Sequence, residues 1–164
     1  MMRIVVGAII LNFIFLSGCV KQSDTPADAF KIVQKAILDE DWEKYWSMLS
    51  SDSKKRFDNQ VINMQESFGN LADQVKERIL KSMDISYDEL KLLDGHKFFI
   101  NFMHDRKADD YSATLFKTCI ITKIETKGNR ALLYLEDDEG HQEKLPVVQE
   151  DGKWKLELSQ YYSF

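Results

Sequence analysis

Gln142-Glu143-Lys144-Leu145-Pro146-Val147-Val148-Gln149-Glu150-Asp151-Gly152-Lys153-Trp154-Lys155-Leu156-Glu157-Leu158 is the stretch that decides the fold. Its last part alternates strictly, with Trp154, Leu156 and Leu158 on one side and Lys153, Lys155 and Glu157 on the other. A period of two is a strand with one buried face. Asp151-Gly152 is a hairpin turn, so two antiparallel strands, Gln142–Glu150 and Lys153–Leu158, are expected. Pro146 has no N–H to give a ladder, which marks a sheet edge or a bulge.

Working backwards, Asp138-Glu139-Gly140 and Lys127-Gly128-Asn129 are two more turns, and they delimit strands at Arg130–Glu136 and Leu115–Glu125. The inward positions are then Cys119, Ile121, Ala131, Leu133, Leu135, Leu145, Val147, Trp154, Leu156 and Leu158, with Tyr134 facing out. From His104 to Ser112 the chain is charged and aperiodic, a loop. Earlier still the period is helical. Thr25-Pro26-Ala27-Asp28 starts a helix, with Thr25 as N-cap and Pro26 at the first position, and Ala27, Phe30, Val33 and Ile37 share its buried face. Asp39-Glu40-Asp41 ends it and caps a second helix carrying Trp42, Tyr45, Trp46 and Leu49. Ser50-Ser51-Asp52-Ser53 opens a third, with Phe57, Val61, Met64 and Phe68 on one side. Gly69-Asn70 interrupts it, and Leu71, Val75, Ile79 and Met83 continue the stripe; a coiled coil is the alternative, but the spacing holds for too few heptads, and packing against the sheet is expected. Ser86 and Glu89 form a capping box with Ile85 and Leu90 as its staple, and Gly95 breaks the short helix that follows. Helices first and antiparallel strands after make an α+β domain, with helices packed on one face of a curved four-stranded sheet.

The N-terminus has a different composition. Arg3 is the only charge in the first twenty residues, and Ile4 to Leu16 is a run of thirteen mostly apolar residues. That is short for a membrane span, which needs about 20 residues, but suits the core of a secretory signal. Leu16-Ser17-Gly18-Cys19 closes the run and resembles the lipobox of bacterial lipoproteins. The resemblance implies a signal peptide over residues 1–18 and a mature chain that begins at Cys19 with lipid on its thiol. The alternatives are an ordinary cleaved signal with an incidental cysteine, or an uncleaved anchor. Residues 19–24 then form the lipidated cysteine and a polar tether of about 17 Å at most, 25–158 a single domain, and 159–164 a tail. Val20 rather than Asp after the cysteine resembles the pattern of lipoproteins sent to an outer membrane, facing the periplasm, where two membranes exist.

Charge and cysteine narrow the function classes. The chain from Cys19 carries 21 basic and 27 acidic side chains, a formal charge of −6, and has no basic run, which argues against nucleic acid and against electrostatic capture by anionic lipid, and leaves membrane attachment to the lipid. With Cys19 acylated, Cys119 is the one remaining thiol, and its apolar neighbours Ile120 and Ile121 read as a buried small hydrophobe. The three histidines, His96, His104 and His141, are widely spaced, and no zinc, phosphate-loop or dinucleotide motif occurs. Asp105 to Asp110 lacks the glycine and the final glutamate of an EF-hand loop. No metal and no cofactor is implied.

Thr25-Pro26, Asp41-Trp42, Trp46, Leu49-Ser50, Leu145-Pro146-Val147-Val148 and Asp151-Gly152-Lys153-Trp154-Lys155-Leu156 together resemble the nuclear transport factor 2-like superfamily, in particular its small bacterial lipoproteins. The resemblance implies a cone: a curved sheet around an N-terminal helix, with a pocket at the open end. Trp42, Trp46, Phe99, Phe102, Cys119, Leu133 and Trp154 would line it. Gly69–Met103 is longer and more helical than a minimal cone requires, and would cover or fill it. Enzymes of the superfamily set Asp, His or Tyr in that pocket, and no inward position here is an acid or a histidine, so no catalytic residue is carried over. The expectation is a non-catalytic, lipid-anchored extracytoplasmic module, held to the membrane through Cys19, that binds a small apolar ligand or an envelope protein. The alternatives are an isomerase- or dehydratase-type pocket enzyme on a small hydrophobic substrate, and a structural homodimeric subunit paired through the exposed sheet face.

Overall fold

Thr25 starts the folded chain as the sequence requires. Its hydroxyl accepts the Asp28 N–H at 3.1 Å while the Asp28 carboxylate accepts the Thr25 N–H at 3.2 Å, a reciprocal cap on helix α1, Pro26–Leu38. The computed structural model describes residues 23–105 and 117–158. The expected signal peptide, the lipobox-like residues and the expected tether up to residue 22 lie outside the described residues. So do residues 106–116, which include most of the expected loop and the start of the first expected strand, and the tail 159–164.

Among the described residues five more full helices follow α1: α2 Trp42–Ser47, α3 Ser51–Phe68, α4 Asp73–Ser82, α5 Tyr87–Lys91 and α6 Gly95–Asp105. Four strands come after them, β1 Ile120–Lys127, β2 Arg130–Glu136, β3 Gln142–Glu150 and β4 Lys153–Leu156. The sheet is antiparallel in the order β1-β2-β3-β4. The fold is α+β, and the helices precede the sheet. Asp151 and Gly152 both take positive φ, 50° and 75°, the left-handed pair that a two-residue hairpin needs to match strand twist. All the inward positions are buried except Ile121, which is half-buried, and Tyr134 faces out, its hydroxyl donating to Glu125 at 2.9 Å.

The structure departs from the sequence reading at several points, each with a physical cause. β1 starts at Ile120 rather than Leu115, because the carbonyls of Lys117 and Cys119 accept from the Gln34 side-chain amide of α1 instead of a strand. A bulge between Ile121 and Lys123 then resets its register. β4 ends at Leu156, two residues early. Beyond it the Glu157 N–H still donates to the Pro146 carbonyl at 2.9 Å, but Pro146 has no N–H to return, and the Leu158 N–H goes to Ser53 Oγ at 2.7 Å. β3 is therefore an inner strand from Val147 onward and an edge before Pro146.

Gly95 opens α6 rather than closing a helix: its N–H donates to the Asp58 carboxylate at 3.1 Å. A Cβ there would sit 2.5 Å from the Asp58 nitrogen and 2.8 Å from the Phe57 carbonyl carbon, so glycine is what lets α6 approach α3. That contact is the main one for α3, which packs along α6 and meets the sheet only at its first turn. Val75 drops out of the α4 stripe and is exposed, while in α1 Ala27 is half-buried and Ala29, Ile32 and Ala36 widen the buried face.

Both ends of α1 and the short α2 serve the sheet. α1 crosses β4, β2 and β3, and after α2 the segment Met48–Ser50 lies along the open edge of β4. There the Leu156 N–H donates to Met48 O and the Ser50 N–H donates to Leu156 O, both at 2.8 Å, while the Trp154 N–H donates to Ser23 O at 3.0 Å. The β4 edge is covered; the β1 edge is not paired with any described residue.

Candidate functional site

Of the seven side chains expected around a pocket, four are core. Phe99 and Leu133 expose no surface, Cys119 2% and Trp154 6%. Trp42, Trp46 and Phe102 are half-buried and pack against that same core. A side chain with no accessible surface cannot line a space that holds water, so Phe99 from α6 and Leu133 from β2 occupy the centre of the domain as packing. Met103 of α6 joins them. The part of Gly69–Met103 that reaches the main core is thus α6, while α4 and α5 form a separate cluster with the second half of α3, built on Val61, Phe68, Leu90 and Leu93.

What the seven residues leave near the surface is an aromatic ledge where α2 meets α6. Trp42 and Trp46 stand one turn apart on α2, hence on one face. Trp46 lies against the His96 ring at 5.1 Å and 30°, against Phe99 at 5.3 Å and against Phe57 at 5.9 Å, with the Lys54 ammonium 5.6 Å above it. His96 Nε2 and Glu43 Oε2 are 2.9 Å apart, which fixes the outer side of the ledge. Trp42 meets the edge of His104 at 6.4 Å, and its Nε1 is buried with no acceptor among the described residues. His96 and Glu43 escaped the sequence reading because 53 residues separate them and no local pattern links them.

A second constellation also escaped it. Ser50 and Ser53, at the start of α3, are 0% and 1% exposed. Their hydroxyls donate to the two oxygens of Glu157 at 2.9 and 3.1 Å and lie 2.8 Å from each other. Beside them the Ser51 N–H and hydroxyl both donate to Glu150, each at 2.9 Å. Two carboxylates, Glu150 of β3 and Glu157 just past β4, thus hold the positive end of an 18-residue helix. Hydroxyls sealed at this depth can reach no substrate, and the cluster is a clamp between α3 and the sheet.

Two surface grooves lie elsewhere. One of about 330 Å³ runs between α1 and α2, with Ile32 and Ala36 as floor and Lys31, Lys35, Lys44, Asp39 and Asp41 as rim. The other, of about 400 Å³, involves Phe68, Leu80 and Tyr87. Neither contains any of the seven residues. Burial pushes the Cys119 thiol up to about 11, aided by the charge of Asp137 and opposed by a backbone hydrogen bond. At neutral pH it is a thiol and not a nucleophile. Among the described residues no group of three or more metal-binding side chains occurs, and no helix is long and apolar enough to cross a membrane. Comparison with known proteins finds no matching family model, no similar curated protein and no similar solved structure.

Proposed function

We propose that this chain is a lipid-anchored extracytoplasmic module, attached through Cys19, whose domain engages an envelope protein without catalysing a reaction. The lipobox-like Leu16-Ser17-Gly18-Cys19 supports the anchor. The observation that carries the choice of a protein over a small apolar ligand is the packing of Phe99 and Leu133, which leaves the expected pocket residues as core and the two tryptophans of α2 as its margin. Half-buried tryptophans flanked by charged side chains are what protein interfaces use as anchors. The resemblance to nuclear transport factor 2-like lipoproteins belongs to the same proposal, supported by the order of helices and hairpins.

Two measurements test it. Intact mass of the protein extracted from its host membranes should show acyl chains on Cys19, and Cys19→Ser should release the protein from the membrane; an unacylated chain would end the anchor reading. Photocrosslinking in intact cells from position 43, exposed beside the ledge, should yield one discrete protein adduct that position 77 on α4 does not give. Native mass spectrometry of the chain from Val20 supplies the counter-result: a co-purifying small molecule lost on unfolding would replace the protein partner with a ligand.

A further inference from the structure

One transverse row of the sheet ties the start of the folded chain to one end of the molecule. Ser23, 3% exposed, accepts the Trp154 N–H through its carbonyl; Trp154 pairs with Gln149; and the Gln149 N–H donates to Asn129 O at 2.7 Å. The β1–β2 turn, the β3–β4 turn and the start of α1 therefore share this end. The β2–β3 turn, Asp137 to His141, closes the other. Eight residue steps of extended chain separate Asn129 from Asp137, about 26 Å. From Ser23 back to Cys19 is four residue steps, about 14 Å when fully stretched.

The two ends also differ in charge. The row end carries Lys127, Arg130 and Lys153 among Asp24, Glu150 and Asp151, and Glu150 is turned onto the start of α3. The far end carries Asp137, Asp138 and Glu139. α1 delivers Asp39, Glu40 and Asp41 to the same side, since its Gln34 already reaches Cys119, next to the Ile120–Glu136 pair.

We propose that the domain stands on the bilayer by its Ser23 end, with the β1–β2 and β3–β4 turns toward anionic lipid headgroups and the acidic β2–β3 turn pointing away. The inference rests on acylation of Cys19. Given that, a 14 Å leash cannot span the roughly 26 Å that an inverted domain would need. Charge acts in the same direction, because an anionic surface repels the far end and meets mixed charge with exposed lysines at the near one.

The test uses the full acylated protein in vesicles of phosphatidylethanolamine and phosphatidylglycerol, with an acceptor dye on the lipid headgroups. A donor dye is placed at Asn129→Cys or at Glu139→Cys, both exposed positions, while Cys119 is buried and Cys19 acylated. Lys127→Cys and Asp138→Cys repeat the comparison. Energy transfer should be higher at both near positions than at both far ones. Equal or reversed efficiencies on protein whose mass shows the acyl chains would overturn the orientation alone. Protein lacking acyl chains in that preparation would overturn the anchor and the orientation together.

Discussion

Trp42 sets a hydrogen-bond donor into a buried position without an acceptor among the described residues. Such a group costs about 1–3 kcal/mol, comparable to what a half-buried indole gains from its extra ring area. The two effects oppose each other in Trp42→Phe, so the variant should unfold within about 1 kcal/mol of the parent in urea; a loss of several would mean the N–H is satisfied in solution. At the β2–β3 turn Asp137 gathers the donors around it. Asp137 accepts the backbone N–H groups of Glu139 and His141 at 2.9 and 2.8 Å and lies 2.9 Å from His141 Nδ1. Hydrogen bonding to Asp137, then its charge, raises the imidazole above its ordinary 6.5. Burial pushes the Asp137 carboxyl up, but the bonds from His141 and Glu139 and the His141 charge outweigh it and leave it below 3.8. A raised histidine stabilises fully below its unfolded value and loses this as pH rises through the folded one. A lowered aspartate stabilises above its unfolded value and loses this as pH falls through the folded one. The turn should therefore hold best between about pH 4 and 6.5. The ring protons of His141 should titrate above those of a free histidine, and Asp137→Asn should bring them back.

At the scale of elements, the start of α3 is where helix and sheet are joined. Ser53 Oγ, itself buried, receives the Leu158 N–H and donates to the half-buried Glu157. Ser53→Ala would leave a buried N–H unpaired and a carboxylate short of one donor, a loss of about 1–3 kcal/mol, whereas Ser51→Ala, exposed beside it, should lose under about 1. Equal losses in denaturant titrations would refute the clamp. The sequence disclosed half of this junction: Ser50-Ser51-Asp52-Ser53 is legible as a helix start because caps act over three residues. Glu157 as its partner is not, because it lies 107 positions further along the chain. The same division runs through the fold. The N-cap at Thr25, the capping box at Ser86, the Asp151-Gly152 turn and the limits of β2 and β3 are local and could be read directly. Gly95 was misread because a glycine required by a crossing helix looks like one that ends its own. The candidate site followed suit: the residue types of its core were evident, but whether they surround a space or fill it depends on α6 lying over the sheet, which no periodicity encodes.

The whole molecule has two unequal cores. The main one joins α1, α2 and α6 to the inner sheet face through twenty-one buried residues among those described, and the second joins late α3, α4 and α5 through four. α4 contributes no buried residue at all. The smaller core seals only those four side chains and otherwise packs partly buried apolar ones; Gln65 Nε2 donates to the carbonyls of Leu90 and Leu93 at 2.8 and 3.0 Å, and Phe68 stacks on Tyr87 at 5.4 Å. Apolar burial contributes about 25 cal/mol per Å², so a region with so few sealed side chains opens at a smaller cost than the domain as a whole. Amides of Asp73–Ser82 and Tyr87–Lys91 should exchange with solvent well before those of β2 and α1, by a route insensitive to mild denaturant, while β2 amides exchange only with global unfolding. Gln65→Leu should speed the first set and leave the second unchanged, since it removes the donor to two carbonyls of the small core and touches nothing in the large one. Simultaneous exchange of both sets in the parent protein would mean that α3, which spans both clusters through Phe57 and Phe68, couples them into one unit. The early opening of α4 and α5 would instead leave the ledge at Trp42 and Trp46 intact, because its support comes from Phe57 and α6 in the main core.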